Sequence, residues 1–381
     1  MKTEQSRWND DGGWAESAPG KLGEAAQLVL LFGGTEVMSQ AKWMPDLRQA
    51  YPKAHLFGCT TAGEIIGTRV YDDSLIATGV QFERTQIQTA QVRMSDAGDD
   101  SRQAGSKLGA ALKSDGLVHV LVISDGLSVN GSELVRGLLG ALPDGVRVTG
   151  GLAGDGARFE KTSILAGETP IAGAIGAVGF YGDNIKVGYG SLGGWDSFGP
   201  ERLITRSEGN VLFELDGKPA LELYKSYLGE HAADLPSSGL LFPLNVRAEG
   251  EDEALVRTIL AVDNEANSLT FAGDVPEGSH AQLMKANFDR LIEGASGAAQ
   301  ASGHAIGGAK VDLAILISCV GRKLVLKQRT EEEVEAVRDV VGDQATLAGF
   351  YSYGEICPAA PNADCKLHNQ TMTITTFAES E

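Results

Sequence analysis

The chain has few of the features that announce a function. Over 381 residues no stretch of 18 or more apolar residues occurs, so nothing in it reads as a membrane-spanning helix. The first 20 residues are polar and Gly-rich and hold no apolar core of a secretory signal, so they are expected to be a disordered lead-in. Four cysteines, at 59, 319, 357 and 365, form no Cys-x-x-Cys pair, and a reduced, cytoplasmic protein is expected. Positive charge is scarce: 32 Lys and Arg face 51 Asp and Glu, a net charge of −19 that argues against nucleic acid and anionic lipid as partners. Aromatics make up only 6%. There is no Gly-x4-Gly-Lys-Ser/Thr, no Gly-x-Ser-x-Gly and no His-Glu-x-x-His, which removes the common phosphate-loop, serine-hydrolase and zinc-protease readings.

What is present is glycine, 49 residues without a fixed period, and a pattern that occurs three times. An apolar run, a helical stretch and a second run ending in a Gly-rich loop follow one another. The first copy joins Leu28–Gly34 to His55–Glu64, and the second joins His119–Gly126 to Val146–Asp155 through a helix near 131–142. The third joins Leu313–Gly321 to Thr346–Glu355 through a Glu-rich helix at 331–341. Such units make parallel pairs with right-handed crossovers, and runs this continuously apolar belong to strands covered on both faces. The loop spelling Gly-x4-Gly-Glu-Ile recurs at 58–65 and 349–356. The expected class is α/β: two domains with mixed, largely parallel sheets, 21–235 and 236–381. Between the units, 70–94 and 171–215 read as strands with tight turns, and a helix is expected near 280–300.

Gly188-Tyr-Gly190-Ser-Leu-Gly193 spells a dinucleotide fingerprint, but the following Gly194-Trp-Asp-Ser-Phe-Gly-Pro200 cannot open the helix that would meet a pyrophosphate. Cys319 beside Arg322, and the pair Glu64 and Glu355, are the residues an enzyme reading would use. No nucleophile–base pair accompanies them, and a small buried thiol and loop-closing carboxylates are the plainer reading. Six histidines show no zinc spacing. Residues 219–231 read as a helix with Leu221, Tyr224 and Leu228 on one face and His231 at its end. That imidazole is either a core histidine or an axial haem ligand, with His368 and Cys357 as further conceivable ligands.

Several strings resemble the FIST N domain: Gly58-Cys-Thr-Thr-Ala-Gly-Glu-Ile65, Ser124-Asp-Gly126, Gly150-Gly-Leu-Ala-Gly-Asp155, Gly194-Trp195 and Asn210–Ala220. Ser318-Cys-Val-Gly-Arg322, Glu332-Glu333, Gly349–Ile356 and Leu367-His-Asn-Gln-Thr371 resemble the FIST C domain. The resemblance implies a sensory, ligand-binding module of signal transduction rather than an enzyme, with amino acids among the ligands proposed for the family. A chain of this architecture also resembles the NosP-type members, which implies haem, nitric oxide as signal and a histidine kinase regulated in trans. On this reading the ligand-binding residues are Gly58, Cys59, Thr60, Glu64, Ser124, Asp125, Gly151, Trp195, Cys319, Arg322, Tyr351, Tyr353, Glu355, His368 and Asn369, with His231 as the haem ligand. The shared loop spelling and the surrounding glycines add two expectations: the loops at 58–65 and 349–356 meet, and Trp195 and Tyr353 are buried or line the pocket.

Overall fold

A computed structural model describes residues 1–15, 17–250, 254–358 and 363–380. Three strand–helix–strand units form its frame. In each, the first two strands run parallel: Leu28–Gly33 with His55–Thr60, Leu117–Ser124 with Arg147–Leu152, and Leu313–Cys319 with Thr346–Ser352. A third strand of the same unit, Leu75–Gln81, Ala174–Tyr181 or Met372–Glu379, pairs antiparallel on the other side of the first. A flanking strand, Lys2–Asn9, Gln86–Arg93 or Ile185–Leu192, then pairs antiparallel with the third. The sheets are therefore mixed, with parallel pairing confined to the two strands that the crossover helices join and antiparallel neighbours on both sides.

The outer edge of each second strand is covered by a strand from a different unit. Ile164–Ala166 of the second unit pairs with His55–Thr60 of the first. Gly354–Pro358 of the third pairs with Arg147–Leu152 of the second. Glu64–Ile66 of the first pairs with Thr346–Ser352 of the third. The exchange closes a cycle and gives three six-stranded sheets, none of which a single unit could complete.

The central strands alternate between two cores. Leu28, Leu30 and Phe32 meet Leu121, Ile123, Leu313, Ile315 and Ile317 in one cluster shared by all three units. Val29 and Leu31 instead face the short helices Thr35–Gln40 and Met44–Ala50. Val120, Val122, Ala314 and Leu316 face the longer helices, of which Gly131–Ala141 and Thr330–Val341 lie where the sequence places them. Both faces of every central strand are thus apolar, which is why the sequence reads as unbroken runs.

Residues 195–286 form a separate antiparallel sheet inserted in the third unit. Its strand Trp195–Glu208 pairs with His280–Ala286, and Ala220–Leu228 packs over it. Three expectations need correction. Residues 1–20 are no disordered lead-in: Lys2–Asn9 is a strand on Leu75–Gln81, with Ser6 and Trp8 buried. Only Ser6 and Trp8 of this strand are buried, so it carries little apolar periodicity and its polar composition misled. Residues 280–286 are strand, and the helix Phe288–Ala305 starts only after Asn287, whose Oδ1 accepts from the Arg290 N–H. The helix expected over 219–231 stops at Leu228, where Gly229 takes φ 56° and a 3-10 turn, Gly229–Asp234, follows.

Gly58, Gly150 and Gly349 occupy equivalent positions on the three second strands. A Cβ there would fall 1.7, 1.8 and 1.9 Å from the carbonyl oxygens of Leu31, Val122 and Leu316. Gly303, on the helix Phe288–Ala305, has no neighbour within 4 Å of a built Cβ. Gly58→Ala or Gly349→Ala is expected to cost at least about 3 kcal/mol in urea denaturation. Gly303→Ala should stabilise by up to about 1 kcal/mol.

Candidate functional site

The loops after the second strands carry the residues that the sequence marks, and the first and third are in contact. The Ala62 N–H donates to the Tyr351 carbonyl at 2.8 Å, and the Tyr351 N–H donates to that of Gly63 at 2.8 Å. The expected meeting of 58–65 and 349–356 is therefore found. Their carboxylates are equivalent. Glu64 accepts the Thr61 hydroxyl at 2.5 Å and both the N–H and hydroxyl of Ser74. Glu355 accepts the Ser352 hydroxyl at 2.6 Å and the N–H and hydroxyl of Thr371. Ser74 and Thr371 each precede the third strand of their unit. In the second unit Asp125 does this work from the other loop, accepting the N–H of Gly173 at 3.0 Å, just before Ala174–Tyr181.

These three carboxylates pin loops, and Glu64 and Glu355 are buried, at 1% and 0% exposure. Burial pushes both up to about 8, against the hydrogen bonds that favour their charged forms. Arg322 is likewise spent inside. Its guanidinium donates to Glu333 at 2.8 and 3.0 Å and to the carbonyls of Gly193 and Leu291 at 2.6 and 2.7 Å. Glu333 also accepts the hydroxyls of Ser318 and Tyr351 at 3.0 and 2.7 Å. Trp195 donates its indole N–H to the Gln370 carbonyl at 2.9 Å. Burial pushes the thiols of Cys59, Cys319 and Cys357 well above the ordinary range, so none is a ready thiolate.

Most of the expected ligand set is buried in the structure. Gly58 and Gly151 pack against Leu31 and Ile317. The hydroxyls of Thr60 and Ser124 bond to neighbouring main chain. His368 is buried with Nε2 2.9 Å from the Cys357 carbonyl oxygen, and Asn369 is 1% exposed. Cys59, Glu64, Asp125, Trp195, Cys319, Arg322, Tyr351 and Glu355 are likewise buried. Trp195 and Tyr353 are buried as expected, at 6% and 5% exposure.

Tyr353 leads to the surface. Its hydroxyl bonds to Asp155, whose carboxylate accepts the N–H groups of Phe159, Glu160 and Lys161 at 2.8–2.9 Å and so shapes the loop 155–161. The Phe159 ring stacks on Tyr353 with centroids 4.3 Å apart. Beyond Phe159 lies a cleft of about 730 Å³, within the range of small-molecule sites. Its apolar walls are Phe159, Leu240, Leu241, Ile259, Leu260 and Leu324, and Arg158, Lys327, His231 and Asp234 also line it. Smaller recesses of about 240 and 400 Å³ share walls with it; Tyr353 lines the first and Lys323 the second. The cleft thus lies between the second unit's loop, the end of the helix Val320–Leu326 and the inserted segment 229–260. His231, expected on a buried helix face, is exposed in its 3-10 turn, its ring 5.3 Å from that of Phe242. Sequence reasoning found His231 and Tyr353 but missed Arg158, Phe159 and Lys327, for which the sole signal was a Gly-Asp-Gly loop followed by a cation and a ring.

The FIST N domain matches residues 27–218 and the FIST C domain residues 220–358. The chain belongs to the FIST family. FIST domains are sensor domains of signal transduction that take small ligands. An uncharacterized protein of Methanocaldococcus jannaschii, MJ1623, is 23% identical over 297 residues, which are 71% of this chain and 56% of that protein. The chain therefore spans little more than half the length of that relative. A chorismatase crystal structure aligns with 99% of the chain and 98% of its own length at 9% identity and a TM-score of 0.35. A cyanuric acid hydrolase from A. caulinodans aligns with 78% of the chain and 100% of its own length at 10% identity and a TM-score of 0.20. Likeness at that level carries no argument about this chain's chemistry. Among the described residues no helix is long and apolar enough to cross a membrane.

The buried carboxylates set a pH dependence. Their folded pKa of about 8 lies above the ordinary 4.5, so the folded state holds more protons and stability falls as pH rises towards 8. His119, which burial pushes down to about 3, acts in the opposite sense only below its ordinary 6.5. Between pH 6.5 and 8 the FIST chain should therefore lose stability, by up to about 1.4 kcal/mol per pH unit for each acid. Urea midpoints across that window measure the slope. Glu64→Gln and Glu355→Gln should each flatten it, whereas a flat wild-type profile would show both groups ionised.

Proposed function

We propose that this chain is a small-ligand sensor whose ligand sits in the 730 Å³ cleft, and that the ligand is haem with His231 as its axial group. The observation that carries this reading is the grouping of an exposed imidazole, apolar walls and two cations in one cleft. The residues fit the group. Leu240, Leu241, Ile259 and Leu260 offer apolar surface to a macrocycle, while Arg158 and Lys327 offer charge to two propionates.

When bound, haem supplies an iron that can take up nitric oxide. The chain's own residues do the rest. His231 must offer an unprotonated nitrogen, and its position just beyond the helix end leaves the ring free of the core. The walls would keep water from a haem held there, and Phe159, stacked on Tyr353, ties that wall to the third unit. A ligand here touches both the inserted segment and the loops of the frame, so its arrival favours one relative arrangement of the two. The output partner in this reading is a sensor histidine kinase acting in trans, as in the NosP-type members that the sequence resembles.

Titration of the purified protein with haemin tests the proposal. About one equivalent should develop a Soret band, which shifts when nitric oxide meets the reduced complex. His231→Ala should lose that spectrum while keeping the wild-type melting temperature, since His231 is exposed. Arg158→Ala with Lys327→Ala should weaken binding about tenfold or more. An unchanged spectrum in His231→Ala would remove the axial role. If no Soret band develops at all, the cleft serves another metabolite, such as an amino acid, without haem.

A further inference from the structure

A second cavity, of about 340 Å³, lies away from the cleft between the helix Gly131–Ala141 and the strands Leu244–Arg247 and Ala254–Arg257 of the inserted sheet. Its unusual member is Arg257. This guanidinium is 4% exposed, yet it forms no ion pair within 4 Å among the described residues. Nε donates to the Asp274 carbonyl at 2.9 Å, and Nη1 donates to the carbonyls of Leu367 and Val256 at 3.1 and 3.4 Å. Nη2 donates to no described residue, while the side chain lines the cavity. The Asp274 carboxylate, the near negative charge, is already taken by Arg136 at 3.0 Å and Asn130 at 3.2 Å. Burying a cation without its own counter-charge is costly, and burial pushes Arg257 down to about 10. An anion delivered to Nη2 would offset that cost with a charge-assisted hydrogen bond.

The rest of the cavity limits what the anion can be. Val135 and Leu139 of the helix and Val246 and Leu255 of the sheet form an apolar wall opposite the charge. Arg136 and Lys366 add positive charge at the lining, and Asp274 and Asp364 carry negative charge there. A phosphate or sulfate would leave the apolar wall unused, and a bulky ligand would not fit. We infer that this cavity is a second ligand site, which takes a small monocarboxylate with an aliphatic tail, the carboxylate on Arg257 and the tail against Val135, Leu139, Val246 and Leu255. A tail of roughly four to eight carbons suits a cavity at the small end of ligand sites. The site bridges the helix of the second unit and the inserted sheet, the same two bodies that the larger cleft joins.

Hexanoate is the probe, with hexanol and hexylamine as uncharged and cationic controls, in calorimetric titrations of the full chain. Saturable binding of hexanoate at millimolar or lower concentration, with neither control binding, is expected. Leu139→Trp fills the cavity from its half-exposed lip and should weaken hexanoate binding at least about tenfold without loss of the cooperative melt. Arg257→Gln should erase the preference for hexanoate over hexanol; if that variant does not fold, Leu139→Trp alone decides. His231→Ala should bind hexanoate as the wild type does, which separates this site from the cleft. Equal binding of hexanoate and hexanol, unchanged binding in Leu139→Trp, or no saturable binding at millimolar hexanoate would each overturn the inference.

Discussion

No unit of this chain can complete its own sheet. Each second strand keeps an open edge until a strand from another unit covers it, and the three exchanges form a closed cycle. An exposed edge is a liability, and here the remedy is also the device that fixes the units relative to one another. Most else follows from it. The covering strands Glu64–Ile66 and Gly354–Pro358 begin at or beside the carboxylates that pin the third strands. Loops from different units are thereby brought together at the strand ends, where ligands of α/β folds are commonly held. The FIST N and C domains, separable as sequence, are interleaved as structure.

The second element of the frame is the buried Arg322–Glu333 pair. A buried ion pair is weak evidence for net stability, because desolvation offsets the attraction. Its value here lies in reach. Arg322 joins Gly193 and Leu291 to Glu333, and Glu333 joins the strands that carry Ser318 and Tyr351. Each main-chain carbonyl involved would otherwise lack this partner in a dry interior. Removing either charge would strand the other, so the sequence strings that mark the family here, Ser318–Arg322 and Gly349–Ile356, are read as framework.

Much of that framework was legible in the sequence. Central strands covered on both faces appear as apolar runs, the crossover helices as period-3.6 stretches between them, and the loop repeat as a shared spelling. The exchange of strands was not legible, because Ile164–Ala166 and Glu64–Ile66 are three-residue pieces whose partners lie about 100 and 280 positions away, and period-two patterning says nothing about which edge a strand joins. Lys2–Asn9 escaped notice because only Ser6 and Trp8 in it are buried and most of it is polar. The site residues divided along similar lines. Glu64 and Glu355 do what the plainer reading expected of loop-closing carboxylates, and Arg322 is buried on Glu333. The cleft is built from ordinary leucines, an Arg and a Lys drawn from 157–327, and no local pattern joins residues so far apart.

The account places a ligand where the second unit's loop, the end of a third-unit helix and the inserted segment face one another. Hydrogen exchange with mass spectrometry, on the full chain with and without saturating haemin, tests that placement most directly. Bound ligand should slow exchange together in 156–160, 229–241 and 324–327, the segments that form the cleft. The Gly-rich loops at 58–65 and 349–356 are already sealed and should change little. Protection confined to those two loops, or none in the three cleft segments, would contradict the account.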